Sequence, residues 1–148
     1  MPTLKSEDQL AEQFHETLTL DRESDHHVQI PFGHLAKSVL INSGHRRVLI
    51  VMKGGLSIDN RKFRSVFGRR AAMLSASVVE QATGFPVDAI SPIGLSCKVP
   101  VYLDLSLRAF ALIYLPADKT GQINRISPNR LAELFDATWV DVTKMRHS

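Results

Sequence analysis

Val48 to Met52 reads VLIVM, five consecutive apolar residues with no polar residue between them. A strand wetted on one side alternates polar and apolar side chains, so an unbroken aliphatic and β-branched run suits a strand covered on both faces. The segment Arg46 to Met52 follows a second aliphatic run, LAKSVLI, Leu35 to Ile41, and only NSGH lies between the two. Asn, Ser and Gly are turn residues, so the pair is expected to fold as a β-hairpin that Lys53-Gly54-Gly55 terminates.

The other segments supply the cover. SEDQLAEQFHETL reads as a short amphipathic helix, with Ser6 and Gln9 at capping-box spacing and Leu10 and Phe14 on one side. SIDNRKFRSVFG reads as a helix capped by Ser57 or Asp59, with Phe63, Val66 and Phe67 apolar and Gly68 at its end. ASVVEQATG reads as another, with Ser77 and Glu80 as a capping box and Gly84 as the stop. Val99 to Leu103 is expected to be a strand, and Arg108 to Leu115, RAFALIYL, a long central one. SPNRLAELF carries Ser127 as N-cap and Pro128 at the favoured first position, and TWVDV closes the chain as a strand. Helices mixed with hairpins and crossovers predict an α+β fold: one domain over residues 1–148, with a mixed, mostly antiparallel sheet flanked by helices.

The chain's 148 residues can bury a core without staples. A single cysteine, Cys97, excludes an internal disulfide and a cysteine zinc cluster, and suits a reducing cytoplasm. Neither a signal-type apolar segment nor a run long enough to span a membrane is present in the sequence. The formal net charge is +3, with basic residues clustered at His45-Arg46-Arg47, Arg61-Lys62-Arg64 and Arg69-Arg70. Such clusters are solvated faces in most proteins and also suit phosphate contacts with a polyanion. His26-His27 are adjacent rather than spaced as ligands, so no metal site is expected. Serine-hydrolase, P-loop, zinc-protease and dinucleotide motifs are all absent.

Two features carry chemistry. Lys37 is a cation inside an apolar strand pattern; it either points to water or aims into a cleft to grip an anion or carbonyl oxygen. TGFPVDAISPIG, Thr83 to Gly94, packs two Gly and two Pro around one acid, Asp88. It is either a plain connection or a rigid loop whose N–H groups can hold an oxyanion.

Taken in order, AKSVLI, VVEQATGFPVDAISPIG, VPVYLD and SPNRLAELFDATWVDV resemble the YbaK/prolyl-tRNA synthetase-associated editing domain family from about Asp25 to Thr143. Val79, Glu80, Thr83, Gly84, Ser91, Pro92, Gly94 and the run Val99 to Asp104 all match the family's usual sequence. The resemblance implies a free-standing, cytoplasmic aminoacyl-tRNA deacylase that acts in trans without cofactor or metal. The family's functional Lys falls on Lys37, and its substrate loop falls on Asp88 to Pro92. Amides around Ala89, Ile90 and Ser91 would polarise the ester carbonyl, and Lys37 would hold the terminal ribose or its phosphate. Phe32, Ser38, Asp88, Pro92, Ile93 and Gly94 would complete the substrate pocket, with Ile90, Ile93 and Phe32 admitting only small side chains. Arg46, Arg47, Arg69 and Arg70 would meet tRNA phosphates. The implied partners are aminoacylated tRNA of tRNA-Pro type and a synthetase, with neither DNA nor membrane, for a monomer or homodimer.

Asp88 stands where the family's loop carries glycine. Pro116 replaces a serine hydroxyl in a later segment that keeps Lys119 and Gly121, and Leu115 replaces the histidine of an alanine-editing His-Pro pair. The alternative is a module of the same fold that binds aminoacyl-tRNA or a small ligand without hydrolysis, or acts as a regulatory domain. An ion pair between Asp88 and Lys37 filling the cleft would favour that alternative.

Overall fold

A computed structural model of the chain describes residues 34–95, 97–116 and 123–146. The expected N-terminal helix, Phe32, His26-His27, Lys119 and Gly121 lie outside the described residues.

The hairpin forms as expected. Strands β1 (Ala36–Ser43) and β2 (Arg46–Lys53) pair antiparallel from Ala36↔Lys53 to Ser43↔Arg46. They nucleate a five-stranded sheet in the order β4-β1-β2-β5-β8, where β4 is Ala72–Met73, β5 is Val101–Asp104 and β8 is Thr138–Val140. β4 joins β1 antiparallel, whereas β2/β5 and β5/β8 are parallel. Short antiparallel pairs lie outside this sheet: β3 (Leu56–Ile58) with β9 (Thr143–Met145), and β6 (Ile113–Leu115) with β7 (Asn124–Ile126). The whole is mixed and, by number of pairings, mostly antiparallel.

β2 sits at the centre, which explains VLIVM. Its five apolar residues are at most 1% exposed, and they divide between two cores. Leu49 and Val51, with Ala36 and Leu40 of β1, face a first core built from α2 (Ala76–Thr83), α3 (Pro128–Phe135), the β6/β7 pair and the loop residues Phe85 and Ile90. Val48, Ile50 and Met52, with Ile41, face a second core closed by Phe63 of α1 (Asn60–Phe67), Ile58 of β3, Val140 and Val142. Burial at this level is worth about 1.5–3 kcal/mol per large aliphatic side chain, so both covers are needed.

The helix ends follow from local chemistry. Asp59 caps α1 by accepting from the Lys62 N–H at 3.1 Å. Ser127 caps α3 by accepting from the Arg130 N–H at 3.2 Å, with Pro128 in the first turn. For α2 the cap is Ser75 rather than Ser77: Ser75 has extended backbone, and its hydroxyl accepts from the Val78 N–H at 3.3 Å. The helix therefore starts one residue before Ser77.

RAFALIYL is not a long central strand. The carboxylate of Asp104 takes the Ser106 N–H at 2.9 Å and starts a 3-10 helix, Leu105–Ala109. Leu107, Ile113 and Leu115 reach the first core, while Leu112 between them is 39% exposed. The segment thus covers the sheet by turning over it, and the central place beside β2 goes to β5. No described helix is long and apolar enough to cross a membrane.

Gly54 marks a close crossing of the chain. A Cβ there would collide with the backbone carbonyl oxygen of Leu35, and backbone cannot swing away as a flexible side chain can. Gly54→Ala is expected to destabilise by about 1–3 kcal/mol, read as a lowered denaturation midpoint at unchanged m-value.

Candidate active site

The loop after α2 is anchored from beneath. Gly84 ends the helix in the left-handed region, at φ 81°, and its N–H returns to the Glu80 carbonyl at 2.9 Å. The buried Thr83 hydroxyl donates to the Val79 carbonyl at 2.7 Å and accepts from the Phe85 N–H at 3.0 Å. Phe85 and Ile90 then plug into the first core. Between them Pro86 to Ala89 forms a turn closed by the Ala89 N–H on the Pro86 carbonyl at 3.0 Å. Ser91 is fully buried, and its hydroxyl accepts from the Ile93 N–H at 3.1 Å. Pro92 is buried, Ile93 packs against the first core, and Gly94 turns the chain at φ 85°.

This geometry revises two expectations. The Ala89 amide closes its own turn, so it is not a donor for an ester; among the described residues, the Ile90 and Ser91 amides have no hydrogen-bond partner. Asp88 occupies the second central position of the turn, exposed, and its φ is not positive. The replacement of the family glycine therefore introduces no left-handed strain at position 88. Among the described residues Asp88 makes no ion pair, so it does not fill a cleft with Lys37.

Lys37 and Ser38 lie on β1 between the Leu35–Tyr114 bridge and the Ile41–Met73 pairing with β4. Successive strand residues take opposite faces. Lys37 is opposite Met52 and so shares the second-core face; Ser38 is opposite Val51 and shares the first-core face with Ile90. The sequence placed Lys37 and the loop amides around one cleft. The sheet instead directs the Lys37 side chain to the face opposite the one that Ile90 packs on. Ser38 is the strand residue on the loop's side. It is 5% exposed, and among the described residues its hydroxyl has no hydrogen-bond partner. Leaving such a group unpaired costs about 1–3 kcal/mol, which a ligand's polar atom would relieve.

Burial, and secondarily the nearby Arg146 guanidinium, hold the Lys37 ammonium below the usual lysine range. Arg146, just past β9, was not picked out from the sequence; its only signal there is a basic C-terminal stretch, Lys144-Met145-Arg146. Two cations brought together on a partly desolvated rim suit a phosphate better than they suit each other.

The acid of VPVYLD is structural. Asp104 is 1% exposed and accepts from the Ser106 N–H, the Val142 N–H at 2.9 Å and the Thr143 hydroxyl at 2.8 Å. Ser106 in turn accepts from the Lys53 N–H at 3.1 Å. The network ties the end of β2 and β5 to the chain entering β9, on which Arg146 follows.

The expected tRNA-contacting arginines are all exposed. Arg46 and Arg69 line a cavity at the hairpin tip, and Arg47 and Arg70 are not among its lining residues.

Residues 15–134 match the aminoacyl-tRNA editing domain family. The chain belongs to that family. The editing domain is 34% identical over 119 residues to YwhH, an uncharacterized protein of Bacillus subtilis (strain 168), covering 79% of this chain and 76% of that one. It is 26% identical over 97 residues to EbsC of Enterococcus faecalis, provisionally named a Cys-tRNA(Pro)/Cys-tRNA(Cys) deacylase; the match covers 65% of this chain and 59% of EbsC. A solved structure provisionally described as a trans-editing enzyme for prolyl-tRNA synthetase superimposes with a TM-score of 0.70 at 18% identity, over 95% of the editing domain and 81% of that chain. This last likeness shows the shared fold.

Proposed function

We propose that the chain is a trans-acting deacylase that hydrolyses the ester of mischarged, tRNA-Pro-like tRNA carrying a small amino acid, in the cytoplasm where tRNAs are charged. The observation that carries this is the pair of Ile90 and Ser91 amides, fixed in a core-anchored loop and without a partner among the described residues. An aminoacyl ester is already activated. Water adds to its carbonyl carbon, the carbonyl oxygen becomes an oxyanion, and the ribose oxygen leaves and takes up a proton. Two preorganised N–H donors lower that barrier without metal or triad. Ser38, on the same side of the sheet, would hold a polar atom of the aminoacyl group, and Ile90 and Ile93 would limit its size. Apolar walls discriminate by only about 1–3 kcal/mol per methylene, so the amino acid preference is expected to be graded. Lys37 and Arg146 would hold the terminal phosphate or ribose from the other side of β1. Ile90, Ser91, Ser38, Pro92, Ile93 and Gly94 thus form the ester side of the site, with Asp88 at its mouth. The names of EbsC and of the prolyl-tRNA trans-editing structure support the tRNA-Pro assignment and a working association with a synthetase.

The test is deacylation of a panel of mischarged tRNAs. Turnover is expected for small aminoacyl groups, and Asp88→Gly is expected to change it less than about tenfold, because Asp88 is an exposed turn residue without strain. No turnover on any ester would remove the deacylase reading. A second reading, binding of aminoacyl-tRNA without hydrolysis, draws on the placement of Lys37 and Ile90 on opposite faces. It predicts tRNA binding weakened by Lys37→Ala with no ester loss in the wild type.

A further inference from the structure

The hairpin tip carries a cavity of about 220 Å³ lined by Ser43, His45, Arg46, Val48, Phe67 and Arg69. Its floor is apolar and rigid. Val48 is 1% exposed, and the Phe67 ring stacks on Phe63 with centroids 4.4 Å apart and meets the edge of Tyr102 at 4.9 Å. Its rim is cationic. Arg46 and Arg69 are exposed and, among the described residues, their guanidiniums make no ion pair or hydrogen bond. The Arg69 side chain lies across the hairpin turn: a Cβ on Gly44 would come within 2.7 Å of its Cδ. Among the described residues no carboxylate lines the cavity.

Two guanidiniums with no acid select an anion, and guanidinium geometry favours phosphate. An aromatic and aliphatic floor adds nothing for a bare inorganic ion, so the anion is one attached to an apolar, flat body. The volume falls below the about 300–1,000 Å³ of pockets that enclose a whole small ligand, which suits one unit of a longer molecule. Ser43 and Lys37 lie on the same face of β1, six residues and so about 20 Å apart. The hairpin cavity and the Lys37–Arg146 rim therefore lie toward opposite ends of one sheet face, at a separation a single RNA strand can bridge.

We propose that this cavity takes one unpaired nucleotide of RNA, its phosphate held between Arg46 and Arg69 and its nucleoside against Val48 and Phe67. The assignment rests on aminoacyl-tRNA being the substrate and states where the strand is gripped away from its ester. It separates Arg46 and Arg69, which bind one nucleotide, from Arg47 and Arg70, which contribute only general charge.

The test titrates the isotopically labelled full chain with uncharged tRNA, AMP or adenosine and follows the amides of His45, Arg46 and Arg69 by NMR. Saturable shifts are expected with tRNA and AMP but not with adenosine, with tRNA at least about tenfold tighter than AMP because neighbouring phosphates add their own contacts. Arg46→Ala/Arg69→Ala is expected to weaken tRNA binding about tenfold and to reduce the slope of log K against log salt by about one. Absence of hairpin shifts with tRNA overturns the proposal. Shifts with adenosine equal to those with AMP overturn the phosphate contact, and AMP binding as tightly as tRNA assigns the cavity to a free nucleotide instead. Since the tRNA is uncharged, the outcome does not depend on ester hydrolysis: a chain that hydrolyses nothing can still show the shifts, and a silent hairpin leaves the deacylation panel untouched.

Discussion

Asp104→Ala is expected to destabilise the fold by about 3–5 kcal/mol, the largest loss from any single side chain outside the apolar cores. The carboxylate is 1% exposed and accepts three hydrogen bonds, from the Ser106 and Val142 amides and the Thr143 hydroxyl. Alanine leaves the Val142 amide and the Thr143 hydroxyl buried without an acceptor, at about 1–3 kcal/mol each and less than additively, and frees the part-buried Ser106 amide as well. For a chain of this length the shift in Tm is about 10 °C or more. Asp104→Asn keeps one acceptor oxygen and is expected to lose less than half as much. Thermal and urea denaturation of both variants checks this, and an alanine variant melting within about 2 °C of wild type would show that the network does not hold the strands. Since Arg146 follows the segment that Asp104 clamps, a partly folded variant is also expected to lose the cation pairing at Lys37.

Lys37→Met is expected to lower kcat/KM for a mischarged tRNA by about 100-fold, the scale at which a misplaced substrate loses rate, while leaving Tm equal to or above wild type. In the proposed role the two readouts part, because Lys37 would serve the ligand at the fold's expense. Its ammonium is held below the usual lysine range first by burial and then by Arg146. The folded pKa lies below the unfolded value of about 10.4, so the unfolded chain binds more protons in the window between them. Stability therefore rises with pH through that window: the penalty is complete below the folded pKa and gone above the unfolded one. Methionine removes the titrating group, so any Tm advantage of Lys37→Met is expected at neutral pH and should shrink as pH climbs toward the ordinary lysine range. Unchanged turnover on every ester would end the role assigned to Lys37. A Tm lowered by several degrees would mean that the ammonium stabilises the fold.

Much of this was readable from residue order alone, where the deciding contact lies within a few residues. Asp59 caps α1, Ser127 and Pro128 start α3, and Gly68 and Gly84 end their helices, since a cap and its amide are three or four positions apart. NSGH closes the hairpin by the same local rule, and VLIVM suited a strand covered twice. TGFPVDAISPIG was recognisable as a built loop, and its conformation became visible only in three dimensions: Asp88 sits in a plain turn, and Ala89 closes that turn.

Long-range packing decided the rest. Strand periodicity alone dictates that Lys37 and Ser38 oppose each other, but which one meets the loop depends on the face that receives Phe85 and Ile90, a contact between distant segments. RAFALIYL has the composition of a central strand and became the end of a 3-10 helix and a short strand paired outside the main sheet, because the buried Asp104 claimed the Ser106 amide and β5 lay beside β2. Arg46 and Arg69 are far apart in sequence and line one cavity only because tertiary packing brings Phe67, at the end of α1, to the hairpin tip. Hydrogen bonds and caps are short-range and leave their mark on neighbouring residues. The choice of face, the position of a strand in a sheet and the walls of a cavity are set by which apolar surfaces bury one another, and no local pattern encodes that.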